Sequence, residues 1–440
     1  MTKINAEILT ALEKSLTPMR DVPQGYLRTG RLLHVGATLI KAYLPGVFMG
    51  EVCCLLPEGG LAEVVGIDGS TVQLSPFAST AGLHYGQQVR SLGRRHRVPV
   101  GEDLLGRVLD GMGLPLDDGP APQGPWRDYD APPPSALLRR MIDKPMFTGI
   151  RAIDGLLTCG EGQRVGIFAA AGVGKSTLMS MLCRSPDSDI NVLVLIGERG
   201  REVREFIEKT LEEETRRRCV IVVSTSDRPA LERMRALSVA TTIAEAFRDR
   251  GKRVMLFADS LTRFARAARE IALAGGEVAV SGSYPPGVFA ALPRLLERAG
   301  RSTLGSITAF YTVLVESDDM NEPLADEVRS LLDGHIVLSR RLAEAAHFPA
   351  IDILASISRL MTMVAGGEHQ ILANAIRTLL STYRDVELLV RVGEFVRGED
   401  DLADLAVDRY AAICHFLQQQ SNEPCDRDEL LAQMRYLTDT

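Results

Sequence analysis

Apolar and polar positions alternate with several periods along this chain, and each change of period marks a change of element. Near the start, Ile4, Ile8, Leu9, Leu12 and Leu16 fall on one helical face. That stripe predicts a helical segment over residues 1–22, which either packs on its own domain or docks on a partner or membrane face. From about Gly25 to Ser91 the texture becomes short β-type runs at residues 32–35, 38–42, 62–67 and 71–74, with Gly59-Gly60 and Asp68-Gly69 as turns. Strands this short and this evenly spaced predict a small closed β-barrel over residues 23–92.

Prolines at 115, 120, 122, 125 and 132–134 then predict an extended connector with little room for helix. From Arg151 onward, apolar strands (164–169, 191–196, 220–223, 253–258 and 306–315) alternate with helix-patterned stretches (175–183, 203–214 and 230–250). That alternation predicts an α/β domain over 93–347, a mainly parallel sheet covered by helices. After Arg359 no clear strand remains, so residues 348–440 read as a helical domain.

Composition adds exclusions. With 440 residues the chain is long enough for two or three domains. A formal charge of −7 argues against nucleic acid as the main partner. The barrel also lacks the interleaved aromatic and basic residues of a single-strand binder, so a structural collar fits better. Seven scattered cysteines form no C-x-x-C pair, which predicts free thiols in a reducing cytosol. Adjacent Cys53 and Cys54 should point to opposite faces of a strand. Glu7 and Glu13 interrupt the N-terminus, so it does not read as a signal peptide. With no run long enough to span a bilayer, the expected location is the cytoplasm, or a membrane surface as a peripheral subunit.

The chemistry concentrates in three segments. Residues 169–177 read Ala-Ala-Ala-Gly-Val-Gly-Lys-Ser-Thr, between a predicted strand and a predicted helix. In that context backbone N–H groups suit a polyphosphate, Lys175 reaches its outer phosphates, and Ser176 offers a hydroxyl to Mg²⁺. Ala170, Ala171, Gly172, Val173, Gly174 and Thr177 complete the nucleotide-binding set. The usual first glycine is Ala169, so that position must have a backbone conformation open to an L-residue. Asp259 ends an apolar strand, where it can hold magnesium or its water, or simply cap the next helix. Glu198, just past another strand, can orient the attacking water; its other reading is a surface pair with Arg199. No Asn-Lys-x-Asp segment is present to read guanine, whereas adenine needs mainly an aromatic face.

With these residues placed, the chain resembles the type III secretion ATPases, relatives of the catalytic subunit of rotary ATP synthases. The resemblance is carried by GIRAIDGLLTCGEGQR (149–164), the phosphate loop, IGERGREVREFIE (196–208), DSLTRFARA (259–267), YPPGVFAALPRLLERAG (284–300) and DEVRSLLDGHIVLSR (326–340). It implies a barrel collar, a RecA-like P-loop ATPase core with ATP and Mg²⁺, and a C-terminal helical domain. It further implies a homohexamer at the cytoplasmic face of the inner membrane, with a central stalk, peripheral stator proteins and an export gate as partners. Its substrates would be chaperone–effector complexes, stripped and unfolded for export.

By position the resemblance implies roles for Lys175, Ser176, Glu198 and Asp259 as phosphate lysine, magnesium hydroxyl, catalytic glutamate and second acid. Arg199 matches the arginine beside that glutamate, and Arg263 one near the terminal phosphate. Phe348 falls where relatives stack an aromatic, often tyrosine, on adenine, and Arg359 on a finger that reaches the neighbouring subunit. Glu399-Asp400-Asp401 falls where rotary relatives touch the stalk, although an acidic run is also an ordinary solvated helix end. Two departures stand out: Phe348 lacks the hydroxyl, and the loop 277–282 (EVAVSG) lacks the basic pair many relatives carry.

The rivals are a flagellar export ATPase, a synthase catalytic subunit, an RNA-dependent hexameric translocase and an inactive homologue. Thr225–Glu232 (TSDRPALE) looks closer to the injectisome form than to the flagellar one, and residues 202–208 depart from the synthase continuation. Stimulation of hydrolysis by RNA would mark the translocase. The intact Lys175, Ser176, Glu198, Asp259 and Arg359 set opposes an inactive homologue.

Overall fold

The computed structural model describes residues 28–57, 59–280, 284–315, 320 and 322–438. The stripe at residues 4–16 therefore lies outside the described residues. Six strands close a barrel in the order Thr29–Val35, Ile40–Tyr43, Thr71–Pro76, Gly60–Asp68, Glu51–Leu55, Gln88–Arg95. Its centre is filled by Leu32, Ile40, Ala42, Val64, Leu74 and Val89, the inward members of alternating strands. Glu51–Leu55 carries the adjacent Cys53 and Cys54, whereas Gln88–Arg95 stood outside the β-type runs because polar residues break its apolar alternation. Glu51 is fully buried and is satisfied instead by the amides of Phe48 and Gly93, both at 3.0 Å, and by Ser91. Cys53 joins the barrel core and Cys54 does not, as expected of neighbours on one strand. All seven cysteines are unpaired.

Behind the barrel stands a nine-stranded sheet. Its path runs Ile351–Ser358, Gly334–Leu338, Arg164–Ala169, Ser306–Leu314, Arg253–Asp259, Ile190–Ile196, Cys219–Ser224, Val108–Asp110, with Gly300–Arg301 beside Ser306–Leu314. All the pairings are parallel except those of Ile351–Ser358 and Gly300–Arg301. The central strands are buried on both faces, which is why they read as unbroken apolar runs. In Ile190–Ile196, for example, Leu193 and Leu195 enter one core, whereas Val192, Val194 and Ile196 enter the other. One core lies under Lys175–Cys183 and the C-terminal helices, the other under Ala230–Arg248, Leu261–Ala274 and Pro286–Leu296.

Two expectations need correction. The helix expected over 203–214 is three pieces: Gly200–Glu205, a π-helical turn at Phe206–Thr210, and Glu213–Arg217. The wide turn, closed by Leu211 N–H donating to Phe206 O at 3.0 Å, buries Phe206, Ile207 and Leu211 together. It also brings the Thr210 carbonyl to the hydroxyl of buried Ser180, at 2.7 Å. The central sheet, moreover, runs past residue 347, because Ile351–Ser358 is its antiparallel edge strand. Asp352 accepts from the amides of Leu354 and Ala355, both at 3.0 Å, and the strand bulges between Asp352 and Ile357, which breaks its period of two and hid it.

Beyond Arg359 the chain is helical: Met361–Val364, Gly367–Val392, Asp401–Leu417 and Arg427–Thr438. Asp400 is the N-cap of its helix, accepting from the amides of Leu402 and Ala403 at 2.8 and 3.1 Å, so one member of the acidic run has a plain structural use. Among the described residues, no helix is long and apolar enough to cross a membrane.

Candidate active site

The strand Arg164–Ala169 delivers the chain to a turn that opens the helix Lys175–Cys183. Ala169 ends the strand in ordinary backbone geometry, whereas Gly172 and Gly174 have φ of +82° and +91°. An alanine is thus harmless at the first position, and glycine is needed at the other two. No side chain caps the helix start, which leaves its first amides free for an anion. Ala170 and Val173 are buried beneath the turn, while Ser176 and Thr177 face outward at the helix start.

Two carboxylates converge on Lys175 from neighbouring strands. Asp259 ends Arg253–Asp259 with its side chain buried; its Oδ1 accepts from Thr312 Oγ1 at 2.8 Å and pairs with Lys175 Nζ. Ser260, not Asp259, caps the following helix, accepting from Arg263 N–H at 3.3 Å. Glu198 lies 3.8 Å from Lys175 Nζ. Its loop extends the sheet ladder: Gly197 N–H donates to Ser224 O at 2.7 Å and Ser226 N–H to Glu198 O at 3.1 Å. Burial pushes the Glu198 carboxyl above its ordinary value; Lys175 opposes the rise and Asp259 adds to it. A half-buried carboxylate with a raised proton affinity beside a lysine is suited to orient and polarise water.

Beside the phosphate loop lies a cleft of about 610 Å³ between the helix Lys175–Cys183 and the C-terminal helices. Gly174, Thr177, Phe348 and Gln418 are among its walls. Phe348 is 43% exposed and presents its ring against Gly174. Gln419, missed from sequence, ties this region together. Its Oε1 accepts from Arg151 N–H at 2.9 Å, and its Nε2 donates to the carbonyls of Gly149 and Glu423 at 2.8 and 3.0 Å. Thr312 was also missed. Both contacts join distant segments, so no local pattern announces them.

The arginines divide. Arg263 packs its stem on Gly197, and its buried Nε makes no hydrogen bond. Arg199 is not brought in: extended backbone makes it the N-cap residue of Gly200–Glu205, and its exposed side chain pairs with Glu202 at 3.2 Å. Arg359 lies at the far end of the sheet. It follows Ser358, which pairs with Gly334 beside the start of the phosphate-loop strand, and its N–H donates to Asp333 O at 3.1 Å. Five residue rises from Arg164 to Ala169 span roughly 17 Å, beyond the reach of one side chain. Arg359 cannot complete the site of its own subunit.

Comparison with known proteins agrees with this geometry. Residues 149–358 match the ATP synthase alpha/beta family nucleotide-binding domain, and residues 365–436 the T3SS EscN ATPase C-terminal domain. The SPI-2 type 3 secretion system ATPase of Salmonella typhimurium is 67% identical over 415 residues, covering 94% of this chain and 96% of that protein. The flagellum-specific ATP synthase of Bacillus subtilis is 46% identical over 431 residues, covering 97% and 98%. Among solved structures, the assembled ATPase EscN of the enteropathogenic E. coli type III secretion system has a TM-score of 0.90 at 51% identity, covering 93% of this chain and 100% of that one. EscN in complex with its central stalk EscO gives 0.87 at 50% identity, with the same coverage.

Proposed function

This chain belongs to the type III secretion system ATPases, and from that premise we propose how its residues divide the work of hydrolysis. The protein is an ATPase that energises type III secretion, with a barrel collar, a P-loop core and a helical C-terminal domain. ATP lies with its phosphates on residues 170–177 and its base on Phe348. Lys175 neutralises the outer phosphates, Glu198 positions the water, and Arg263 reaches toward the terminal phosphate. The observation that carries this reading is the meeting of Lys175, Asp259 and Glu198 at the carboxyl end of the parallel sheet.

Magnesium fits the donors present. Ser176 and Asp259 supply hard oxygen ligands, too few for an all-protein cage; among the described residues no His, Cys, Asp and Glu group forms one. Magnesium bound with ATP would withdraw charge from the phosphates. The test is phosphate release with and without magnesium in the native chain and in Lys175→Ala. Hydrolysis that ignores either change would overturn this site.

The working form is a homohexamer on a central stalk, by likeness to the assembled EscN and its complex with EscO. Each Arg359 then serves the next subunit's site. The ring sits peripherally on the cytoplasmic face of the inner membrane with stator proteins and an export gate, and it releases chaperones from substrates and unfolds them. The flagellar alternative is favoured less, at 46% identity against 67%. Indifference of turnover to added RNA separates this reading from a nucleic-acid translocase.

A further inference from the structure

The linker into the ATPase core carries three of its most exposed large apolar side chains. Leu137, Leu138 and Met141 are 96%, 66% and 73% exposed. The backbone beneath them is nevertheless held. Leu138 N–H donates to Ser135 O at 3.0 Å, Arg140 N–H to Arg301 O at 3.3 Å, and Arg301 Nη1 to Met141 O at 3.0 Å. Arg139 pairs with Glu297 at 3.0 Å and donates to Ala299 O at 3.3 Å. Ordering a segment costs conformational entropy, and here it leaves apolar groups in water. Such a strip reads as half of a contact.

Its position says with what. Gly300–Arg301 pairs with Ser306 and Ile307, at the amino-terminal end of the parallel strands. From there a run of ion pairs crosses the same end of the sheet. Arg139 binds Glu297, Glu297 binds Arg164, and Arg164 binds Asp333 at 3.0 Å. The Asp333 carbonyl accepts the Arg359 N–H. The apolar strip and Arg359 thus share the end of the sheet that faces away from their own phosphate loop.

We infer that Leu137, Leu138 and Met141 form a contact between copies of this chain, seated on the nucleotide face of the neighbouring subunit beside the entry of Arg359. This rests on the ring reading above. An arginine serving the next subunit presses this end of the sheet against a second copy, and side chains standing out from the same end are covered by it. The strip supplies apolar area to a joint whose other known member is a charge, and apolar side chains buried at the centre of a contact carry much of its energy.

The test compares native chain, Leu137→Glu/Leu138→Glu and Arg359→Ala by sedimentation velocity over a dilution series. The double variant should need about tenfold more protein, or higher, to form rings. Its affinity for a fluorescent ATP analogue and its thermal midpoint should stay native, and turnover should return as rings are restored by concentration. Arg359→Ala should assemble yet scarcely turn over. Leu138→p-benzoylphenylalanine, irradiated in assembled rings, should give adducts between subunits that map to the neighbour's nucleotide face. Native ring stability in the double variant, or adducts confined to one subunit, would overturn the inference while leaving the ring intact. A native chain that forms no ring would overturn the ring reading itself.

Discussion

The ring of Phe348 lies against Gly174: a β-carbon built on that glycine would sit 3.5 Å from two of the ring's atoms. Phe348 and the turn before Lys175 therefore touch, although the chain travels through most of the core sheet between them. On the proposed reading, a nucleotide held by the turn has its base delivered to the ring.

Phe348→Ala should weaken ATP and ADP binding by about 1–3 kcal/mol, the usual scale for base–aromatic stacking. Phe348→Tyr should change little, because the ring stays and only a hydroxyl is added. Isothermal titration decides it, and unchanged ADP affinity in the alanine variant places adenine elsewhere.

Glu198→Gln keeps the shape and the hydrogen-bonded loop but removes the charge that, on the proposed reading, polarises water. Turnover should fall by about 10²–10⁴-fold, with ATP affinity close to native. Single-turnover phosphate release beside equilibrium binding separates the two effects. Near-native release would take Glu198 out of the mechanism.

The same residue sets an acid limit. Burial holds its carboxyl above the ordinary 4.5, with Lys175 pulling it down and Asp259 pushing it up. On the proposed reading the ionised form is the active one, so kcat/KM, which reports the free enzyme, should be full well above the raised value and fall as pH drops through it. A profile of kcat/KM for MgATP should show an acid limb above 4.5. A limb at or below that value points to a different titrating group.

What could be read in advance follows from the range of each interaction. The phosphate loop, Asp259 and Glu198 sit just past apolar strands, so strand, turn and chemistry are written in a dozen contiguous residues. Phe348 and Arg359 carry no local signature, and only the family resemblance pointed to them. Thr312 and Gln419 act across 53 and 270 residues of sequence, and their contacts exist only once the sheet is assembled. Arg199 stands apart from the cluster for a local reason: its place at the helix start turns its side chain outward to Glu202. The edge strand was hidden because it bulges between Asp352 and Ile357, which breaks the period of two.

Mixed rings test the shared site. Arg359→Ala should bind ATP yet lose about 10³–10⁵ in turnover. Mixing it with Lys175→Ala should restore some activity, since some interfaces then join an intact phosphate loop to an intact finger. Phosphate release across mixing ratios, in rings verified as mixed, should peak between the pure variants. A flat line at zero sinks the shared-site reading.

Barrel and core are joined by a buried charge. Glu63 is fully buried on the barrel, accepts from the Tyr129 hydroxyl at 2.7 Å and pairs with Arg235 of the core, whose guanidinium stands 5.0 Å from the Tyr129 ring centre. Arg235→Ala leaves that carboxylate without its cation and should cost about 3–5 kcal/mol in denaturant unfolding. Arg235→Ala/Glu63→Gln should recover part of the loss. Equal stability of the two variants would mean that the stranded charge is not what costs.

The strand Ile351–Ser358 begins just after Phe348 and ends just before Arg359. Its eight residues face only the five of Gly334–Leu338, because the ladder steps from Asp352 opposite Val337 to Ile357 opposite His335, so the strand bulges and spans roughly 13 Å of sheet edge. On the proposed reading, one end senses whether its own subunit holds a base, and the other offers a charge to the subunit next door. Between those two ends lie residues 353–356, which have no ladder partner, so on that reading a base held at one end and a charge offered at the other are joined through a bulge and not through a straight ladder.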